Sequence, residues 1–356
     1  MFRKLLLSLF PLVLSAAACL AAKPRPPEIT DPEEAKADPD FAIQGEYVAD
    51  KIGAQVIARG GGKFDAVVYQ GGLPGAGWTP TKDKGAPKNN WTITGERQGD
   101  VVKLAGDEYS GTIEGQKLTL VGPKAGEKIE LVRTVRQSPT LGAKPPAGAV
   151  VLYATPADAD KWKRPKMARN QAERKLLAEE ELAKGGRVWE PAEVGKDGAL
   201  VAGAVSKPTF GDYRAHIEFR LSYMPTSRGQ ARSNSGVYFH NCYEIQVLDS
   251  FGLRGDKGEC GGFYNNKAPD VNLCFPPLQW QTYDVDFTAP RYEGDKKVAD
   301  GRMTVKHNGV VIHDNLALRK STQGFLQPEG PAPRPIYLQA HGCHVHYRNI
   351  WVEEKK

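Results

Sequence analysis

Long hydrophobic runs are scarce in this chain, and the one extended apolar stretch, Leu5 to Leu14, is too short to cross a bilayer. Long runs of a single charge sign are missing as well. The 48 basic and 42 acidic residues are scattered, giving a net charge of +6 with no basic stripe able to neutralise a phosphate backbone, so nucleic acid is not an expected partner. A GxxxxGK[ST] loop, an HExxH helix and a GxSxG turn are all absent, which removes support for nucleotide hydrolysis, zincin proteolysis and α/β-hydrolase chemistry. What remains is 356 residues, 40% of them hydrophobic, with a mean hydropathy of -0.47. That composition is globular and excludes a wholly disordered or membrane-embedded protein. At about 150 residues per domain, the length predicts two domains.

The N-terminus has the order of an export signal. Arg3 and Lys4 precede the apolar stretch, and small residues up to Ala22 follow it, so residues 1–22 are expected to be removed and the protein exported to the periplasm, the cell surface or the medium. Cys19 is a candidate for lipid anchoring, although Ala16 stands where an apolar residue usually precedes a lipidated cysteine. The other four cysteines, Cys242, Cys260, Cys274 and Cys343, allow three disulfide pairings in an exported chain. The Gly/Pro/Asn-rich stretch between Cys260 and Cys274 favours that bridge, which leaves Cys242 with Cys343; buried free thiols are the alternative.

Residues 23–40 are rich in proline and read as an exposed tether. From residue 41 to 136 short β-like runs follow one another (AQVIAR, KFDAVVYQ, NNWTITGE, KLTLVG), with Gly60-Gly61-Gly62 as a hairpin signal, and predict a small all-β domain whose role the sequence does not assign. Asn90-Trp91-Thr92 matches a glycosylation acceptor. Residues 137–148 are a second linker. An alanine-, lysine- and glutamate-rich stretch over 157–184, strongest near 165–184, is the one helical segment, closed by Gly185-Gly186. From Val188 onward β patterning returns within a second domain over 149–356.

Alternation in that domain sorts side chains by face. In RAHIEFRL the residues Ala215, Ile217, Phe219 and Leu221 point one way and Arg214, His216, Glu218 and Arg220 the other. Likewise Val237 and Phe239 oppose Tyr238 and His240, Tyr243, Ile245 and Val247 oppose Glu244 and Gln246, and Leu338 opposes Gln339 and His341. His307-Asn308-Gly309 marks a tight hairpin. The polar rows gather His, Glu, Gln, Tyr and Arg rather than Lys, Ser and Thr, a composition suited to gripping sugar hydroxyls and ring faces.

The segments NSGVYFHNCYEIQVLDSFG, KAPDVNLCFPPLQWQTYDVDFTAPRY, HNGVVIHDN and LQAHGCHVHYRNIWV, in this order, resemble the 3-keto-disaccharide hydrolase domain family over about residues 147–354. The resemblance implies a concanavalin-like, jelly-roll sandwich of two antiparallel sheets and action on glycosides oxidised at carbon three. Together with the patterning, the expected fold is all-β: the sandwich, a small β domain before it and one helical insertion.

Chemistry on an ordinary glycoside calls for two carboxyls about 5–5.5 Å or about 6.5–9.5 Å apart. Glu244 and Asp249 are the nearest candidates, but their odd offset puts them on opposite faces of a regular strand. A 3-keto sugar is less demanding, because its ketone acidifies the hydrogen on carbon two and a single base then allows elimination followed by hydration. Glu244, His341, His216 and His240 are the candidate catalytic groups, with Gln246, Glu218, Arg220, Tyr238, Asn234, Gln339, Arg348 and Asp249 expected to bind substrate. Arg220, Arg348 or a divalent metal could hold the developing oxyanion, and HGCHVH offers His341, His344 and His346 as a possible but unassigned metal cluster. The expected partner is an oxidised glycoside or another glycan; a lectin-like module without turnover, a conventional two-carboxylate glycosidase and a structural surface protein are the competing readings.

Overall fold

A computed structural model of the chain describes residues 26–81, 87–124, 127–168 and 171–355. The export segment and Cys19 lie outside the described residues. No helix among the described residues is long and apolar enough to cross a membrane.

The first β-rich stretch closes into a barrel of eight antiparallel strands, running from Gly45–Ala49 to Lys128–Thr134, which pair with each other to seal it. Inward residues such as Tyr47, Val56, Phe64, Val68, Leu118 and Leu131 form its core. The triple-glycine hairpin is present, with Gly60, Gly61 and Gly62 at φ values of 80°, 64° and 77°, a region only glycine occupies at little cost.

The second domain is a sandwich of two antiparallel sheets. One sheet has the order Val150–Tyr153, His346–Glu354, Tyr213–Arg220, Trp280–Thr288, Gly301–His307 and Val310–Leu318, with Leu200–Val201 pairing on its second strand. The other runs Trp189–Pro191, Trp162–Pro165, Val205–Ser206, Tyr337–Leu338, Asn234–Phe239 and Tyr243–Leu248. Ala215, Ile217, Phe219 and Leu221 meet Val237, Phe239, Tyr243, Ile245, Val247 and Leu338 in one core, as the alternation requires. Burying each large apolar side chain contributes about 1.5–3 kcal/mol. The fold is therefore the all-β arrangement expected from the sequence, with its helical insertion.

Three expectations need revision. The helical stretch is shorter than 157–184: residues Pro156–Lys161 form a 3-10 turn, Trp162–Pro165 is a strand, and the α-helix proper is Gln171–Ala183. The buried indole of Trp162, donating to the Leu152 carbonyl, outweighs local helix propensity. The segment over residues 23–40 is not an exposed tether. Ile29 exchanges backbone hydrogen bonds with Tyr223, Glu28 accepts from Ser222, and Asp38 accepts from the Tyr223 hydroxyl. In the second linker, Ser138 and Thr140 bond Thr282, Thr140 donates to Asp284, and the Gly142 amide donates to Glu218. Finally, no disulfide links the four described cysteines; Cys242, Cys260 and Cys274 are buried thiols and Cys343 is half-buried. The stability a bridge would bring is supplied by ordinary core packing in a domain this large.

Candidate active site

The residues named from the sequence divide between the two sheets. Alternation tells inside from outside, but each sheet of a sandwich has its own outside and the two point in opposite directions. His216, Glu218, Arg220 and Arg348 project from the sheet centred on Tyr213–Arg220, whereas Glu244, Gln246, Tyr238 and Asn234 project from the other sheet. They do not share one hollow.

On the second sheet a compact cleft of about 190 Å³ is lined by Gln230, Asn234, Glu244, Gln246, Tyr264, Gln323, Gly324, Gln339 and His341. Strands Asn234–Phe239 and Tyr243–Leu248 pair so that Tyr238 lies directly across from Glu244 and Gly236 across from Gln246. Gly236 is essential to this packing, because a Cβ there would stand 2.1 Å from Glu244 Oε1. The absent side chain makes the space in which the carboxyl folds.

Glu244 is only 1% exposed, and no cation pairs with it among the described residues. Burial pushes its carboxyl up to about 8, against a smaller opposing effect of its bond to Tyr238. Counting protons leads to the same state. The Tyr238 hydroxyl is 2.8 Å from Glu244 Oε2 and 2.5 Å from the Gln323 carbonyl, and it accepts from Gln339 Nε2 at 3.2 Å. It has one proton to give, and the carbonyl can only accept. Both contacts are satisfied when Glu244 is protonated and donates to Tyr238, which in turn donates to Gln323. Tyr238 is thus the support behind the acid; its ring packs on Tyr337.

The remaining lining is neutral and hydrogen-bonding. Asn234 donates to Gln230 while its Oδ1 lacks a partner, and Gln339 Oε1 lacks one too. Each leaves a buried acceptor unsatisfied at the wall of the cleft. Gln246 donates to Gln230 Oε1 at 3.0 Å. His341, exposed and just past the end of strand Tyr337–Leu338, supplies an imidazole at the rim. Glu244 is the one carboxylate among the lining residues.

The other named residues lie elsewhere. His216 Nδ1 sits 2.6 Å from Asp284, and its ring stacks on Trp351. Burial disfavours the imidazolium, yet the bonds to Asp284 and Glu218 outweigh it and raise the pKa. Glu218, 1% exposed, also suffers from burial, but His216, Asn349, the Gly142 amide and Arg348 bring it down to about 2. This cluster is sealed under the second linker and anchors it. Arg220 ion-pairs with Asp197 at 2.7 Å and faces a cleft shared with the N-terminal segment. Asp249 is in a buried ion pair with Arg232 at 2.6 Å. His240 is not on the outer face: in the turn after Phe239 it takes φ 52°, and its ring stacks on Phe287 and Tyr243, where burial lowers its pKa to about 4.

No group of three or more His, Cys, Asp or Glu side chains able to hold a metal is found among the described residues. His344 instead bonds Glu28 and His346 bonds Asp197, so the HGCHVH histidines diverge. The cleft lining, mostly amides with a single carboxyl and one imidazole, does not fit a cation site. Gln230, in the 3-10 turn Gly229–Ala231, and Tyr264, Gln323 and Gly324, on loops, lie where alternation carries no signal.

Two solved chains from Parabacteroides distasonis ATCC 8503, each named a "putative glycosyl hydrolase", are similar to this one. The first, at 28% identity and a TM-score of 0.46, covers 59% of this chain and 84% of its own. The second, at 16% identity and a TM-score of 0.32, covers 43% and 74%. No curated protein matches significantly. Residues 157–353, more than half of the chain, match the model of the 3-keto-alpha-glucoside-1,2-lyase-like domain, and the protein belongs to that family of carbohydrate hydrolase-like domains.

Proposed function

We propose that this protein is an exported enzyme that cleaves 3-keto-glycosides by elimination and hydration at the Glu244 cleft. The observation that carries the reading is a single, buried carboxyl with no paired cation among the described residues, hydrogen-bonded to Tyr238, in a cleft that it shares with the His341 imidazole and a lining of amides and a tyrosine. A conventional glycosidase needs a second carboxyl, and the other candidate, Asp249, is tied to Arg232 outside the lining.

The 3-ketone makes the hydrogen on carbon two acidic. His341 takes that proton, and the electron pair left on carbon two forms an enolate with the ketone, held by donors such as the Tyr264 hydroxyl and the second hydrogen of Gln339 Nε2. The enolate then re-forms the carbon-three ketone, its electron pair makes the double bond between carbons one and two, and the bond from carbon one to the glycosidic oxygen breaks with its electrons leaving on that oxygen. Glu244 delivers its proton to that oxygen, releasing the aglycone sugar. In the second half the roles reverse. Water adds to carbon one while the Glu244 carboxylate takes its proton, and the imidazolium of His341 returns a proton to carbon two, giving the free 3-keto sugar and the starting enzyme. A carboxyl near 8 is protonated at neutral pH, as the first half requires, and basic enough for the second.

The test offers the purified chain a 3-keto-disaccharide and its unoxidised parent in deuterium oxide. Release of sugar from the keto compound alone, with solvent deuterium at carbon two of the product, supports the reading. Cleavage without deuterium there means direct hydrolysis and refutes the elimination step. Retention of either sugar without release means a lectin-like module. His341→Ala is expected to lower turnover by about 10²-fold or more, with the protein still folded by circular dichroism.

A further inference from the structure

A second cleft, of about 410 Å³, opens on the same face of the same sheet. Cross-strand neighbours connect the two. Glu244 pairs with Tyr238, Tyr238 with Tyr337, Tyr337 with Val205 and Val205 with Lys163, so all five side chains stand on one side of the sheet. Four strand spacings put Lys163 about 19 Å from Glu244. Between them Leu326 packs on Val205, Tyr238 and Tyr337, which makes the two clefts separate pockets.

The lining of this cleft has one charge sign. Lys163, Arg187, Lys207 and Arg334 border it with no carboxylate among the lining residues, and none of the four makes an ion pair with the described residues. Clustered cations without counter-charge repel one another and call for an anion. Two polar atoms strengthen the case. Asn241 is 2% exposed, gives its Nδ2 to Gln327 at 3.1 Å, and leaves its Oδ1 buried without a partner. Arg334 Nε is likewise buried and unpartnered, while its Nη1 donates to Gln327 at 3.2 Å. Trp189, 38% exposed, borders the same space with the Lys163 ammonium 4.1 Å from its ring centroid.

We propose that this cleft binds an acidic saccharide, with the cations holding a carboxylate or sulfate, the Asn241 oxygen accepting from a hydroxyl, and Trp189 offering a ring face to the sugar. Guanidinium and ammonium groups match oxyanions, and the amide acceptor and indole match the neutral part of a sugar ring better than a bare inorganic ion. The inference goes beyond the reaction at Glu244 and does not depend on it.

Titration calorimetry on the full chain separates the possibilities, with a glucuronate-containing disaccharide, a sulfated disaccharide, their neutral parent and inorganic sulfate as probes. Both Arg187 and Lys207 are exposed, so the double variant R187E/K207E is expected to fold, which thermal unfolding verifies. The expected result is that at least one acidic disaccharide binds about tenfold or more tightly than the neutral parent and inorganic sulfate. That binding should fall by about tenfold or more in the double variant and persist in Glu244→Gln. Equal binding of the neutral parent, inorganic sulfate binding as tightly as the sugars, no binding of either acidic sugar, or undiminished affinity in the double variant would each overturn it. Persistence in Glu244→Gln keeps this result distinct from any failure of the elimination chemistry.

Discussion

Replacing Glu244 by glutamine should cost activity and increase stability, and the gain should depend on pH. The carboxyl's ordinary value is 4.5 and burial raises it to about 8. A carboxyl raised in the folded state contributes stability that is full below the unfolded value and lost as pH rises toward the folded one. Each pH unit in the middle of that window removes about 1.4 kcal/mol and less near its ends, so between pH 5 and pH 8 the wild type should lose about 3.5 kcal/mol that the uncharged glutamine does not. Glutamine Nε2 can donate to Tyr238 as the protonated acid does, so the hydrogen-bond chain to Gln323 survives the change. Urea denaturation of both proteins at pH 5, 6, 7 and 8 measures the difference, and other titrating groups cancel in the subtraction. A gap that widens with pH toward the variant's favour, together with turnover reduced by about 10²-fold or more, is expected. A gap that stays constant across this range would show that Glu244 ionises normally in the folded protein, and the assignment of a proton to it at neutral pH would fall.

Three further outcomes follow from the geometry. Gly236→Ala should abolish turnover while sparing the fold, because the new methyl meets the Glu244 carboxyl at 2.1 Å; full activity in that variant would mean the carboxyl position does not matter. Glu218→Gln should leave turnover unchanged but loosen residues 138–143, read as faster proteolysis there, with a loss of about 1–3 kcal/mol at pH 7. Since Glu218 is held down to about 2, its stabilisation is complete above the ordinary carboxyl value of 4.5 and is lost as pH falls from there toward 2, so the variant and wild type should converge in acid. Thiol titration of the native protein should modify Cys343 first and Cys242, Cys260 and Cys274 only on unfolding, and reductant should not change the melting temperature.

Much of the fold was legible because strands announce themselves by period. The inward sets of Tyr213–Arg220, Asn234–Phe239 and Tyr243–Leu248 are the observed core, and Asn308 and Gly309 take the positive φ values, 48° and 81°, that their hairpin needs. What alternation does not encode is sheet membership. His216 and Glu244 both read as outward, and only the long-range pairing of Tyr213–Arg220 with Trp280–Thr288 and of the Glu244 hairpin, through Asn234–Phe239, with Tyr337–Leu338 sends them to opposite sides. His240 failed for a local reason: one residue past a strand end, a left-handed turn reverses the direction that period two would give. The contributors outside the strands, Gln230, Tyr264 and Gln323, follow no strand period. Proline content suggests an exposed tether over residues 23–40, but two of those prolines open the short helices Pro32–Ala35 and Pro39–Ile43, and composition does not say whether such a segment docks.

The barrel contributes Ile57, Val67 and Tyr69, and the short strand pair beside it Leu73 and Trp78, to the same hydrophobic cluster that fills the sandwich. Glycines meet its side chains at the seam, where a Cβ on Gly252 would lie 2.4 Å from Ile57 and one on Gly75 2.5 Å from Leu273. The family-matched portion is thus roofed by its neighbour rather than strung beside it. Cutting the gene between the two would lay bare an oily seam, so the excised sandwich should precipitate or self-associate where the intact chain stays monodisperse, and the two halves should melt as one.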